Sequence, residues 1–264
     1  LIHIYKDGSI HLNHGGTEMG QGLFTKVAQI VSEELRVGVD QIQITATHTG
    51  KVPNTSATAA SSGSDLNGMA AKNAASTIRR RLIDFACHHY AVSESEIFFD
   101  YGEIKIGSRK ILFQELVETA YQNRVQLSAT GFYRTPKIHW DPQTNTGRPF
   151  YYFAYGAAVT EIIIDLLTGE NRVLAVDILH DAGRSLNPAI DLGQIEGGFV
   201  QGLGWLTTEQ VSWNDNGNLS TYSPSTYKIP VSKDIPEKFN VNIYEKGFNI
   251  EKTVNRSKAV GEPP

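Results

Sequence analysis

The sequence predicts an α+β fold in two mixed α/β sub-domains, and three observations carry that prediction. Short alternating apolar runs stand beside longer runs with the helical period, so strands and helices are both present. The two kinds are intermixed without strict strand–helix–strand alternation, which argues against a doubly wound sheet. At Ser128-Ala129-Thr130-Gly131 the pattern changes to a polar, Pro-containing stretch and then to long strands, so residues 1–128 and 129–264 read as separate sub-domains.

Residues 1–5 and 9–13 form a hairpin about Lys6-Asp7-Gly8, a turn signal between alternating runs. A glycine-rich loop, residues 15–22, opens a helix whose apolar positions Leu23, Val27, Ile30, Val31 and Leu35 keep the helical period. A short strand covers residues 42–47. Asp65 caps a second helix with Leu66, Met69, Ala70, Ala74, Ile78 and Leu82 on one face. A small hairpin (97–99 and 103–106) and a helix (113–121) follow. Residues 133–149 read as a long loop, of a length that calls for a functional reason. Strands over 151–165 and 172–180 meet at a Thr168-Gly169 turn, a glycine-rich helix runs from Ile190 to Glu209, and further strands and turns fill 211–244.

Composition bounds the function. The net charge of -4 and scattered basic residues give no footprint for nucleic acid or a membrane surface, so neither is expected as a partner. The single cysteine, Cys87, excludes an intrachain disulfide and a Cys-rich metal site, and fits a reducing, cytoplasmic setting. No apolar run approaches a membrane span. The chain starts directly in a strand without methionine and stops at Pro264, which reads as a piece of a longer polypeptide with its second sub-domain truncated.

Four segments carry chemistry. The residues 15–22 glycines, with Gln21 among them, either present backbone N–H groups to an anion at a helix N-terminus or make a tight strand-to-helix turn. Asn54 to Asp65 is a run of small hydroxyl residues and alanines that lets a bulky ligand approach while offering hydroxyls and helical N–H groups, unless it is a linker. Gln194, Gly197, Gly198 and Gln201 share one helix face, onto which a backbone or a cofactor packs closely. Finally, Gly261-Glu262-Pro263-Pro264 sets a carboxylate on a stiff backbone, either aimed at a ligand or simply in a surface turn.

Residues 15–22, Thr58-Ala59-Ala60-Ser61, residues 130–136, residues 185–191 and residues 258–264 together resemble the xanthine dehydrogenase/aldehyde oxidase family. The resemblance runs over nearly the whole chain and in the family's order. More narrowly, the chain is similar to the C-terminal half of the molybdenum-binding subunit of the bacterial xanthine dehydrogenases, and residues 130–136 resemble the purine-oxidising branch. The resemblance implies a molybdenum–molybdopterin cofactor, with the metal held through the pterin and no protein side chain bonded to it. It implies that Glu262 is the general base in a hydroxylation of hypoxanthine or xanthine that uses oxygen from water. Gly20, Gln21, Gly22, Ala60, Ser61, Ser64, Gln194 and Gly261 would contact the cofactor, and Ala59 and Ala60 would floor the substrate site. FAD and [2Fe-2S] groups would sit on other domains or subunits, which with the rest of the molybdenum subunit are the expected partners in an oligomer. The family's other substrate-orienting residues lie outside these 264 residues, so this piece alone is expected to be inactive. Two alternatives stay open: a molybdenum hydroxylase for aldehydes or other N-heterocycles, and a non-catalytic phosphate-binding domain.

Overall fold

The computed structural model describes residues 1–51 and 55–262, so Asn54, Pro263 and Pro264 of the segments above lie outside the described residues. Contacts divide the chain into two compact units, Leu1–Tyr151 and Tyr152–Pro264.

In the first unit, strands β1 (Ile2–Ile4) and β2 (Ile10–Leu12) form the expected hairpin, with Ile2 opposite Leu12 and Ile4 opposite Ile10. Alternation puts all four apolar side chains on one face, and all four are buried. β3 (Ile42–Ile44) joins β2 in parallel, and β7 (Ser128–Ala129) closes the other side of β1. Helix α1 (Leu23–Leu35) buries each of its five predicted apolar positions. It packs on α2 (Gly63–Tyr90), whose Ala71, Ala74, Ala75, Ile78, Leu82 and Ala86 are buried. Of the predicted α2 face, Ala74, Ile78 and Leu82 are buried, while Leu66, Met69 and Ala70 are only partly covered. The expected cap is also corrected. The helix starts at Gly63 with Ser62 at the capping position, and Asp65 lies within the first turn, where its negative charge favours the positive end of the helix dipole.

Strands β4 (Ile97–Asp100) and β5 (Glu103–Ile106) are the second predicted hairpin, extended by β6 (Arg109–Leu112) and followed by α3 (Phe113–Gln122). The stretch expected to be a long loop contains a hairpin, β8 (His139–Asp141) with β9 (Thr146–Arg148). Every residue of both strands is exposed, so no apolar alternation announces it.

The expected division after residue 128 differs from the one after Tyr151, and α2 is the reason. Its Arg81 guanidinium donates to the carbonyls of Ser128 (2.8 Å) and Gln126 (3.2 Å), and its Asn73 amide donates to that of Phe132 (2.8 Å). Between them Gly131 lies so close to α2 that an added Cβ would be 1.9 Å from the carbonyl oxygen of Ala70. The chain is thus held on the first unit past the point where its composition changes.

In the second unit, β10 (Gly156–Ile164) and β11 (Asn171–His180) pair antiparallel, and β12 (Lys238–Ile243) joins β11 in parallel. α4 (Pro188–Thr207) begins two residues ahead of the expected start. Asn187 caps it by accepting from the Ile190 N–H (3.2 Å), and Pro188 follows where a missing N–H costs nothing. A small core of Val176, Ile178 and Ile195, backed by Phe199, Phe239 and Val241, joins helix to sheet. β10 is an edge strand with every residue exposed, and Leu166 and Leu167 stand out at its tip.

Candidate cofactor-binding site

The N–H groups of the glycine-rich loop do converge on an anion, and that anion belongs to the chain. The Glu18 carboxylate accepts from Gly20 (2.9 Å), Gly22 (3.0 Å) and Phe24 (2.8 Å), filling the N-terminus of α1. Partial desolvation pushes this carboxyl up, but the N–H groups of Phe24, Gly22, Gly20 and Gln21 outweigh it and hold the pKa below its ordinary value. Gln21 is engaged in the same turn: its Oε1 accepts from Met19 N–H (2.6 Å) and its Nε2 donates to Thr17 carbonyl (2.8 Å).

His14, at the foot of this loop, is buried, and its Nδ1 accepts from Gly16 N–H (3.1 Å). Burial, and then the nearby N-terminal ammonium, push its pKa down to about 4. Both groups make the loop acid-labile, with the same sign. Neutral His14 contributes stability that is lost as pH falls from its unfolded 6.5 towards about 4. Ionised Glu18 contributes stability that is lost below about 4.5. The melting temperature is therefore expected to fall on acidification, with a first limb below pH 6.5 that His14→Asn makes shallower, His11 being held below its ordinary value as well. Superimposable pH profiles of variant and wild type would refute the His14 assignment.

The small-residue segment meets this loop. Thr17 N–H donates to Thr58 Oγ1 (2.9 Å), and Gly15 packs so near Thr55 that an added Cβ would be 2.7 Å from its methyl group. Ala59 and Ala60 are exposed, while Ala60 and Ser61 both adopt left-handed backbone, φ 56° and 49°. That conformation costs about 1–2 kcal/mol for each such residue. It delivers the chain into α2, where the Ser62 hydroxyl turns back to donate to Ala59 carbonyl (3.0 Å) and makes no capping bond. The first-turn N–H groups of a helix have no intrahelical partners. At α1 Glu18 satisfies them. At α2 the capping side chain does not, and Ser61 and Ser64 flank the helix end. Small side chains, hydroxyls and an uncapped helix N-terminus suit a bulky ligand that carries a phosphate.

In the second unit, α4 presents Gln194 and Gly198 one turn apart on the same face. The carbonyl oxygen of Gly261 lies where a Cβ on Gly198 would be 2.4 Å away. The close packing that the glycine face predicts is therefore made by the backbone that carries Glu262. Gly261 turns that backbone at φ 105°, which a side chain rarely allows, and leaves Glu262 exposed. Gly197 and Gln201 are exposed on α4.

Two groups escaped the sequence reading. Glu18 sits inside the glycine motif, and its place shortly before a helix start was the available signal. The buried ion pair of Lys258 with Asp181 had none, because the partners are far apart in sequence. A surface hollow of about 260 Å³ lined by His89, Tyr90, Val92 and Arg109 includes none of the candidate residues. Among the described residues, no cluster of three or more His, Cys, Asp or Glu side chains could hold a metal ion.

Over all 264 residues the chain is 47% identical to the xanthine dehydrogenase/oxidase of Gallus gallus and to that of Mus musculus, spanning 18% of each of those proteins. Xanthine dehydrogenase of Blastobotrys adeninivorans is likewise 47% identical, over 268 aligned residues and 18% of its length. Among solved structures, quinoline 2-oxidoreductase from Pseudomonas putida 86 superposes with a TM-score of 0.82 at 26% identity, over 99% of this chain and 32% of that one. The aldehyde oxidoreductase from Desulfovibrio gigas shares the fold, with a TM-score of 0.76 at 22% identity over 99% of this chain and 26% of that one. The sequence profile described as molybdopterin cofactor-binding domain matches residues 1–236 and so takes in the glycine-rich loop, the small-residue segment and Gln194. On that match, the chain belongs to the molybdopterin cofactor-binding domain family.

Proposed function

We propose that this chain supplies cofactor contacts and the general base of a molybdenum hydroxylase of the xanthine dehydrogenase type, acting on hypoxanthine and xanthine. The observation that carries the reading is identity of 47% to xanthine dehydrogenases along the entire chain, including the Glu262 segment. Ser61, Ser64 and the N-terminus of α2 would hold the phosphate and pterin oxygens of a molybdenum–molybdopterin cofactor. Gly20, Gln21, Gly22, Gln194 and Gly261 would be its further contacts, as the family likeness implies. Ala59 and Ala60 leave room for a flat heterocycle. When bound, the cofactor supplies a two-electron acceptor and activates water. A carboxylate oxygen of Glu262 takes the proton that the activated water must lose. FAD and [2Fe-2S] groups on other domains or subunits would carry the electrons away, within an oligomeric cytoplasmic enzyme.

The test uses the full-length protein that carries this sequence, produced with molybdenum-cofactor maturation. It should contain molybdenum and convert hypoxanthine in ¹⁸O-labelled water to a product carrying the label. Absence of molybdenum would overturn the reading in favour of a phosphate-binding domain. The likeness to quinoline 2-oxidoreductase favours one second reading, another N-heterocycle, and aldehydes remain a third substrate class. Turnover of either with purines ignored would replace the purine assignment.

A further inference from the structure

The backbone that carries Glu262 is fastened to its own unit by a largely buried ion pair. The Lys258 ammonium meets the Asp181 carboxylate, and their side chains are only 6% and 15% exposed. Each partner also fixes backbone. Lys258 N–H donates to Ala182 carbonyl (2.8 Å), and the second Asp181 oxygen accepts from Gly183 N–H (2.8 Å). Gly183 bridges to Ser257 in antiparallel fashion, and Arg184 N–H donates to Arg256 carbonyl (3.1 Å). The Tyr155 ring lies 5.1 Å from the ammonium. Immediately before the pair, Asn249 and Thr253, both buried, donate to Ser257 carbonyl at 2.9 and 2.7 Å.

Beyond the pair the chain runs out through Ala259, Val260 and Gly261 to Glu262. Ala259 N–H donates to Tyr152 Oη (2.9 Å), and its carbonyl lies 3.3 Å from Nε2 of buried His180. The backbone behind Glu262 sets the place from which its side chain departs. Four residues of chain reach at most about 13 Å, less with the turn at Gly261, so a tilt of about 5° at the anchor would swing Glu262 by up to about 1 Å. A buried ion pair adds little net stability over an apolar contact of the same volume. It does tie the Lys258 ammonium to Asp181 beside the Tyr155 ring, and so favours one register of the backbone.

We propose that Lys258 and Asp181 are positioning residues that set the aim of Glu262 through the intervening backbone. This rests on the reading of Glu262 as the base. In the full-length, molybdenum-loaded protein, Lys258→Met should lower kcat by about 10–100-fold, the scale of a misplacement of about 1 Å. KM should stay within about threefold, as for a group that acts only on the chemical step. Molybdenum content should be unchanged, and amide exchange at residues 259–262 should accelerate. Lys258→Arg, which keeps charge and partner, should recover most of the loss. Because Lys258→Met strands a buried carboxylate, the double variant Asp181→Asn/Lys258→Met supplies a folded control without unpaired charge. It should show the same fall in kcat and the same faster exchange. Wild-type kcat and exchange in the double variant would overturn the proposal. If Glu262→Gln kept full turnover, the base reading would fall instead. The anchor would then be decided by exchange alone: faster exchange would support it, and unchanged exchange would overturn it.

Discussion

Glu262→Gln in the full-length, cofactor-loaded protein is expected to lower kcat on hypoxanthine by about 10²–10⁴-fold, the usual range for removing a positioned general base. Glutamine keeps the length and the hydrogen-bonding shape of the side chain and removes only its ability to take a proton. KM should therefore move little, because substrate binding does not depend on proton transfer. Molybdenum content should stay at the wild-type level, since the features proposed to hold the cofactor phosphate lie on α2 and the substitution leaves the Gly261 backbone unchanged. Glu262→Asp should fall between the two: it is still a base, but one drawn back by a methylene. Steady-state kinetics paired with metal analysis decide the matter. Near wild-type kcat in the glutamine variant would remove Glu262 from the mechanism.

The second large effect is structural. Gly131→Ala should destabilise the first unit at the upper end of the roughly 1–3 kcal/mol that overpacking costs. The new methyl would sit 1.9 Å from the carbonyl oxygen of Ala70, inside the body of α2, where neither partner is a flexible side-chain end. Relief requires residues 128–132 to lift off the helix. Lifting them would break the Arg81 and Asn73 bonds and disturb the pairing of β7 with β1. Urea unfolding followed by far-ultraviolet circular dichroism would register the loss. A midpoint equal to that of wild type would show that the segment moves freely there.

Where a segment's burial follows its own periodicity, the sequence was a sufficient guide. α1 buries Leu23, Val27, Ile30, Val31 and Leu35 as their spacing requires, and the hairpin about Lys6-Asp7-Gly8 forms as its turn chemistry demands. The reading failed where a feature depends on distant partners or has no apolar signal. The β8–β9 hairpin is exposed on both strands, so alternation had nothing to act on. The division of the chain is decided by Arg81 and Asn73 reaching more than forty residues along the sequence, and no local change in composition reports that. In the candidate site, the glycine loop was legible as an anion cradle, but its occupant was not. Glu18 reads as one more polar loop residue until the fold bends its carboxylate back onto α1. The Gly and Pro neighbours of Glu262 suggested either an aimed carboxylate or a surface turn, whereas the ion pair behind that segment had no local signal at all.

β10 leaves one hydrogen-bonding side of its sheet open while showing Val159, Ile162, Ile163 and Ile164 to solvent, with Leu166 and Leu167 beyond them. An unpaired, apolar strand edge is a template for further strands, from another copy as readily as from a proper neighbour. Lysine, proline or a short strand would blunt that template; β10 runs for nine residues with neither Lys nor Pro, and only Glu161 and the register shift beside it work against further pairing. Association of this chain through that edge is the expected behaviour in solution, to be read as a concentration-dependent apparent mass. Concentration, salting-out ions and the order of mixing become variables as consequential as any substitution.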